Sequence, residues 1–364
     1  MMTAMLSTLH KALRPAVLIT AAAALTAMLT GCRKELCYDH DLHGLNVRVH
    51  VNPEWEQKWM RWYGEEGGMF GTIGQDSTFR EFLESLVPEP GEGIASIAYH
   101  EAGTVHRRHL EAEGGMLHLQ EGMHNILFYN NDTEYIVFTS IDSYAEARAT
   151  TRTRTRASFN ELHPEAETVN EPDMLYGAWA ESYEGILSST ADTLDIQLRP
   201  LVYTYVILFE VESGIELVHN ARGALSGMAG TVYMQDGRTG SDRVSVLFDE
   251  AIVDTLNSTI IATVQTFGVP DFEYGTPLKS PTEEDIFAVS LEVALASGTY
   301  AFPDDFFISE QMHNQPRGGI ITVQVPAIQA DGGGMFEVDV DDWEDEEEIP
   351  LPLSVTRQHN GKTK

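Results

Sequence analysis

Residues 194–213 read LDIQLRPLVYTYVILFEVES, and the periodicity of this stretch decides the fold class. Leu194, Ile196 and Leu198 alternate with Asp195 and Gln197, the period-two signature of a strand with one buried face. From Leu201 onward β-branched and aromatic residues dominate, again a strand composition. Working outward, the pattern repeats. Downstream lie IELVHNARGAL, GTVYMQ, RVSVLFD, STIIATVQTFG, IFAVSLEVALASGTY and GGIITVQVPA. Upstream lie LNVRVHV, which alternates from Leu45 to Val51, then IASIAYH, MLHLQ, NILFYN and EYIVFTS. One short helix is expected from Thr78, where Thr78 and Glu81 have capping-box spacing and Phe79, Phe82, Leu83 and Leu86 share a face. Pro88 and Pro90 stop it. Many short strands, frequent Gly turns and few helical periods predict an all-β protein built of β-sandwiches.

The stretch SYAEARATTRTRTRASFNELHPEAETVNEPD is polar and poor in large apolar residues, so the domain boundary is placed near residue 170. The expected division is a first sandwich over 45–170 and a second over 171–330. Within this polar stretch, Thr151 to Arg156 alternates Thr and Arg, which fits an exposed edge strand or linker whose charges discourage aggregation, with a protease-sensitive segment as the alternative. Beyond Asp331 the chain carries nine carboxylates between Glu337 and Glu348, and residues 331–364 are expected to be a disordered, solvated tail.

At the other end, Lys11 and Arg14 precede the apolar run from Pro15 to Thr30, the pattern of a secretory signal over residues 1–31. Leu29-Thr30-Gly31-Cys32 resembles the bacterial lipobox, in which small residues admit the peptidase and the cysteine thiol receives lipid. Acyl chains contribute about 0.8 kcal/mol per buried methylene, so a multiply acylated Cys32 would hold a folded body on a membrane through the tether 32–44. A disulfide between Cys32 and Cys37 is the alternative, and a thioether at Cys32 would forbid it. The role of Cys37 is left open.

With 23 basic and 56 acidic residues the chain has a formal charge of −33. Such a surface argues against nucleic acid as a partner. Histidines gather at His40 and His43 beside Asp39 and Asp41, and again at His100, His106 and His109. The residues after His100-Glu101 are Ala-Gly-Thr, however, without the second histidine of a zincin helix, so no metal site or other cofactor is assigned. No nucleophile motif stands out, and no catalytic residue is assigned. Trp55, Trp59 and Trp62, with Tyr63 adjacent, would share one face if helical. They are read either as a buried cover or as a patch that contacts glycan or a protein partner.

The lipobox followed by KELCYDH (Lys34 to His40) resembles the opening of a family of Bacteroidota lipoproteins of unassigned function, grouped with the fimbrillin-like proteins. ILFYNNDTEYIVF (Ile126 to Phe138), EPDMLYG (Glu171 to Gly177) and LRPLVYTYVILFEV are similar to later parts of the same family. The resemblance implies two tandem transthyretin-like β-sandwich domains on a lipid-anchored outer-membrane protein, and Arg33-Lys34-Glu35 partly resembles the signal that exports lipoproteins to the cell surface, an inward-facing position being the alternative. It also implies fimbrial subunits as partners, a role as anchor or accessory subunit, and no active site. Asp192-Thr193-Leu194 and Asp254-Thr255-Leu256 resemble a short O-glycosylation motif of secreted proteins from the same phylum.

Overall fold

The computed structural model describes residues 45–53, 77–88, 91–186, 190–273 and 286–338. β1 (Leu45–Pro53) is the alternating strand expected: Leu45, Val47, Val49 and Val51 are buried and the residues between them are not. Helix α1 (Ser77–Ser85) begins one residue before the expected Thr78, which therefore lies in its first turn. Then come β2 (Gly93–His100), β3 (Val105–Glu111), β4 (Gly114–Leu119) and β5 (Gly122–Asn130), followed by β6 (Ile136–Thr139) and β7 (Arg148–Thr151). Helix α2 (Ala157–Leu162), β8 (Thr168–Asn170), β9 (Tyr176–Gly185) and β10 (Asp192–Pro200) complete the first half.

The second half contains β11 (Tyr203–Val211), β12 (Val218–Ala229), β13 (Thr231–Tyr233), β14 (Arg243–Phe248), β15 (Ala251–Asp254) and β16 (Thr259–Thr266). It ends with β17 (Ala288–Leu295), β18 (Gly298–Ala301), β19 (Phe306–Phe307), helix α3 (Ser309–Asn314), β20 (Gly319–Val325) and β21 (Phe336–Val338).

The all-β class holds, and the strand pairing adds two findings. In the first half the strands close on themselves in the order β1-β10-β9-β5-β2-β3-β4, with β4 returning to β1. Leu45, Val47, Val49, Ile94, Ile126, Phe128 and Ile196 fill this barrel. The second half is a sandwich of a four-stranded sheet, β15-β16-β11-β20, and a larger sheet, β21-β18-β17-β12-β14-β8 with β19 on β17. Their inner faces share one core around Tyr205, Ile207, Phe209, Leu225, Phe248 and Val289. Helix α1 lays Phe82, Leu83 and Leu86 on the outer face of the four-stranded sheet, against Val206, Leu208 and Ile320. A three-stranded sheet, β13-β7-β6, shares a third core with Ile97 and Leu127 of the barrel and with Val202 and Phe267.

The second finding is that strand pairing crosses the boundary expected at residue 170. β9 and β10 lie beyond it and are barrel strands: β9 pairs with β5, and β10 runs parallel to β1. β8 lies before it and belongs to the sandwich, parallel to β14. The Arg-Thr alternation from Thr151 to Arg156, read as an exposed edge or linker, is instead pinned to that sandwich together with the residues that follow it to Asn170. Phe159 of α2 packs on Ala224 and Leu247. Arg154 places its two terminal nitrogens on the two carboxylate oxygens of Asp249, at 2.8 and 2.9 Å. Arg156, with 0% of its side chain exposed, donates to the carbonyls of Gly223 and Phe248 and, at 2.6 Å, to Asp249. Burial and the neighbouring Arg222 bring the Arg156 pKa down to about 10, still charged at neutral pH. Beside it Arg222 Nε donates to Glu292 at 2.8 Å, and the Ser158 hydroxyl of α2 donates to the other oxygen of that carboxylate.

The tail also differs at its start. Residues 331–338 fold back on the sandwich, and β21 pairs with β18 through Phe336, Glu337 and Val338. Gly332, at φ +79°, lets the turn lie on the Tyr300 ring, where any Cβ would overlap ring atoms. The acidic run from residue 339 lies outside the described residues.

Asp249→Ala takes away the carboxylate that balances two guanidinium groups, one of them fully buried, so unfolding free energy should fall by about 3 kcal/mol or more. Asp142, which meets Arg107 with a side chain 86% exposed, should lose less than about 1 kcal/mol on the same change. Denaturant titration of both variants measures the contrast. Equal losses would remove Arg156 from its structural role.

Candidate functional site

The residues put forward for anchoring and contact, Cys32 and Trp55, Trp59, Trp62 and Tyr63, lie outside the described residues, as do His40 and His43. The described part holds two titratable clusters and several exposed strand ends.

The histidine cluster sits at one end of the β2-β5 pair, where His100 and His124 are direct cross-strand partners with ring centroids 4.8 Å apart. The His100 Nδ1 accepts the Ala102 N–H, so its Nε2 carries the proton that meets the Glu121 carbonyl at 2.9 Å. His124 is buried and faces the Gly122 carbonyl through Nδ1 at 3.1 Å. Its Nε2, and that of His106, are buried without a hydrogen-bond partner. Burial lowers the His124 pKa, with His100 and His106 adding to the effect, and the ring is neutral at pH 7. His109 stands apart on β3, beside Asn131. The sequence pointed to His100, His106 and His109; it missed His124, which only the β2-β5 register brings to His100. Among the described residues no three His, Cys, Asp or Glu side chains converge to hold a metal ion.

The second cluster lies where the chain returns from the sandwich to the barrel. Glu171 accepts the Gln265 N–H at 3.0 Å, and burial pushes its pKa up to about 7. Close by, one carboxylate oxygen of Asp173 accepts the N–H groups of Glu134, Tyr135 and Ile136, fixing the start of β6. Both acids lie in EPDMLYG, so this part of the family resemblance marks a junction held by carboxylate to backbone bonds.

Exposed apolar side chains occur at strand ends. Leu256, 93% exposed, tops the β15-β16 hairpin, whose turn is held by Asp254 accepting the N–H groups of Leu256 and Asn257. Thr255, in the second glycosylation-like triplet, is exposed at the same tip, and Thr193, in the first, is exposed on β10. Among the described residues no helix is long and apolar enough to cross a membrane. Such strand ends and hairpin tips suit contact with another macromolecule more than enclosure of a small molecule.

Residues 88–249 match a family model described as a domain of unknown function, DUF5119. Over those residues the chain is similar to that family. This bears out the resemblance of its opening to a fimbrillin-like family of unassigned function. The DUF5119 match runs from the approach to β2 through β14 and ends on Asp249, so the carboxylate that holds Arg154 and Arg156 falls inside it. No curated protein matches the chain. Among solved structures, a candidate adhesin from Bacteroides ovatus is similar with a TM-score of 0.53 at 17% identity, over 85% of this chain and 96% of that one. A candidate polysaccharide-binding protein from Bacteroides thetaiotaomicron has a TM-score of 0.43 at 8% identity, over 82% and 99% of the two chains. The fimbrial anchor protein Mfa2 from Porphyromonas gingivalis has a TM-score of 0.38 at 14% identity, over 68% and 77%. At these identities the first likeness establishes a shared fold.

Glu171 gives the junction a pH signature. A carboxyl whose folded pKa is raised stabilises the fold below its unfolded pKa near 4.5, and that contribution is lost as pH rises through about 7. Glu171→Gln keeps an acceptor for the Gln265 N–H and cannot ionise. Its unfolding free energy should therefore gain on the parent by on the order of 3 kcal/mol between pH 4.5 and 8. Parallel curves for the two proteins across that range would show that Glu171 does not titrate there.

Proposed function

We propose that this protein is a non-enzymatic, lipid-anchored protein of the outer membrane, exposed at the cell surface. In this reading it serves as an anchor or accessory subunit of a fimbria-like assembly. Cys32 carries the lipid, the tether 32–44 holds the β-rich body off the membrane, and fimbrial subunits join by β-strand complementation, an extended segment of one subunit completing a sheet of another. The observation that carries this reading is the combination of a lipobox at Cys32 with a fold shared along almost the whole length of a Bacteroides candidate adhesin. Relatives described as adhesins and a fimbrial anchor supply the class of partner. The charge of −33 supports a body that repels anionic lipid and its own copies, leaving the acyl chains as the membrane contact.

A second reading is favoured by the spacing of Trp55, Trp59 and Trp62, with Tyr63: a surface lipoprotein that holds glycan or a host protein on an aromatic patch. A glycan array with the parent and Trp59→Ala separates the two, because the second reading requires binding that the substitution abolishes.

Two measurements test the anchoring and assembly claims. Cells expressing Cys32→Ser should incorporate no labelled palmitate into the protein, and retained label would end the anchoring claim. Deletion of the protein should alter the length or attachment of surface filaments seen by immunoelectron microscopy. Filaments unchanged in both respects would count against the assembly role.

A further inference from the structure

β20 is an edge strand of the four-stranded sheet, with β11 parallel to it on one side. In a strand the N–H and C=O of one residue point to the same side, and successive residues alternate. The groups of Ile320 and Thr322 point away from β11, and at both positions the partner is a side-chain amide. Thr322 N–H donates to Gln311 Oε1 at 2.9 Å, and Gln311 Nε2 donates to the Thr322 carbonyl at 2.8 Å. Ile320 N–H donates to Gln315 Oε1 at 2.8 Å, and Gln315 Nε2 donates to the Ile320 carbonyl at 2.8 Å. A primary amide offers the same donor and acceptor as a peptide group, so the two glutamines stand where the backbone of a further strand would stand.

The spacing explains why these two residues can do this. Side chains four apart on a helical turn lie about 5–6 Å from each other. Outward-facing positions two apart on a strand lie about 6.6 Å from each other. Gln311 is in α3 and Gln315 caps its end, so one helical turn serves two consecutive edge positions. The surroundings are shaped for it. A Cβ at residue 319 would overlap the Gln315 amide, and glycine stands there. Tyr205 O–H donates to the Gln315 carbonyl at 2.9 Å, and the buried Met312 fixes α3 to the core. The Thr322 hydroxyl beneath is buried without a hydrogen-bond partner.

We propose that the β20 edge is a strand-acceptor site held closed by Gln311 and Gln315, and that its ligand is an extended segment of a partner protein. The segment bonds through its backbone to Ile320, Thr322 and Gln324, in place of the two amides. It carries apolar residues at alternate positions, because Ile321, Val323 and Val325 face the sandwich core on one side of β20. It is neutral or basic, because Glu210 lies on Gln324, Glu310 is exposed on α3, and a chain of charge −33 disfavours a second copy of itself. This deepens the assembly reading and rests on it for the source of the segment. The binding is measured on purified protein, so its failure would leave the assembly reading standing.

The probe is a fluorescent synthetic peptide of alternating valine and threonine with lysine at both ends. Its control is the same peptide N-methylated at alternate backbone amides. The full chain with Gln311→Ala and Gln315→Ala should bind the probe about ten-fold more tightly than the parent and should not bind the control. Hydrogen exchange at the Ile320 and Thr322 amides should quicken in that variant and slow again with peptide. Gln315→Ala alone, which removes only the amide at Ile320, should give a smaller gain and supplies the measurement if the double variant does not fold. Three results would overturn the proposal: a folded variant that binds no better than the parent, equal binding of the N-methylated peptide, or a variant that sediments as a dimer. The last would make a second copy the occupant.

Discussion

A guanidinium with no exposed surface must find its counter-charge and its acceptors inside the protein, and for Arg156 they are Asp249 and the carbonyls of Gly223 and Phe248. That requirement fixes where residues 152–170 go. Once Arg154 and Arg156 are on Asp249, α2 is placed against Ala224 and Leu247, and β8 is delivered to the edge of β14. The chain has then already crossed to the sandwich before β9 and β10 are made, and it must return to complete the barrel. The interleaving of the two β units follows from these ion pairs. Glu171 and Asp173, at the return crossing, bind backbone N–H groups of Gln265 and of residues 134–136 and so tie the same junction from the other side.

Strand existence was legible because alternation reports a buried face directly. LNVRVHV became β1 with the expected residues inside, and the LDIQL run became part of β10. Pairing was not legible, since alternation does not say which neighbour a strand will take. β9 and β10 read like any other strands, and only the register with β5 and β1 assigns them to the barrel. Buried polar residues failed for a related reason. The Arg-Thr repeat looks solvated because the carboxylate that neutralises Arg154 is 95 residues away. Gln311 and Gln315 have no signature in sequence at all, since their partners are backbone groups. The proposed lipid and aromatic sites, Cys32 and Trp55 to Tyr63, lie outside the described residues.

The titrating groups oppose one another across mildly acidic pH. His124 is held neutral by burial, so its contribution is present above its unfolded pKa near 6.5 and is lost as pH falls. Glu171 does the reverse, favouring the fold at low pH. One group lies in the barrel wall and the other at the junction, so acidification weakens the first while strengthening the hold between units.

Edges give the two halves different interaction properties. The barrel closes through seven strands, with β10 meeting β9 only at Arg199 and Pro200 and β3 meeting β4 only at Glu111. The sandwich sheets have four edges, β15, β20, β21 and β8, and two of them are covered in contrasting ways. β8 is covered by residues 152–154, where Arg154 N–H reaches the Thr168 carbonyl and Asn170 N–H reaches the Arg152 carbonyl. That cover is continuous backbone locked by buried ion pairs. β20 is covered by two side-chain amides on a six-residue helix, which can rotate away without breaking the chain path. A backbone cover and a side-chain cover satisfy the same hydrogen bonds but differ in the cost of removal. By that physical difference, β20 is the edge of the two that is suited to exchange.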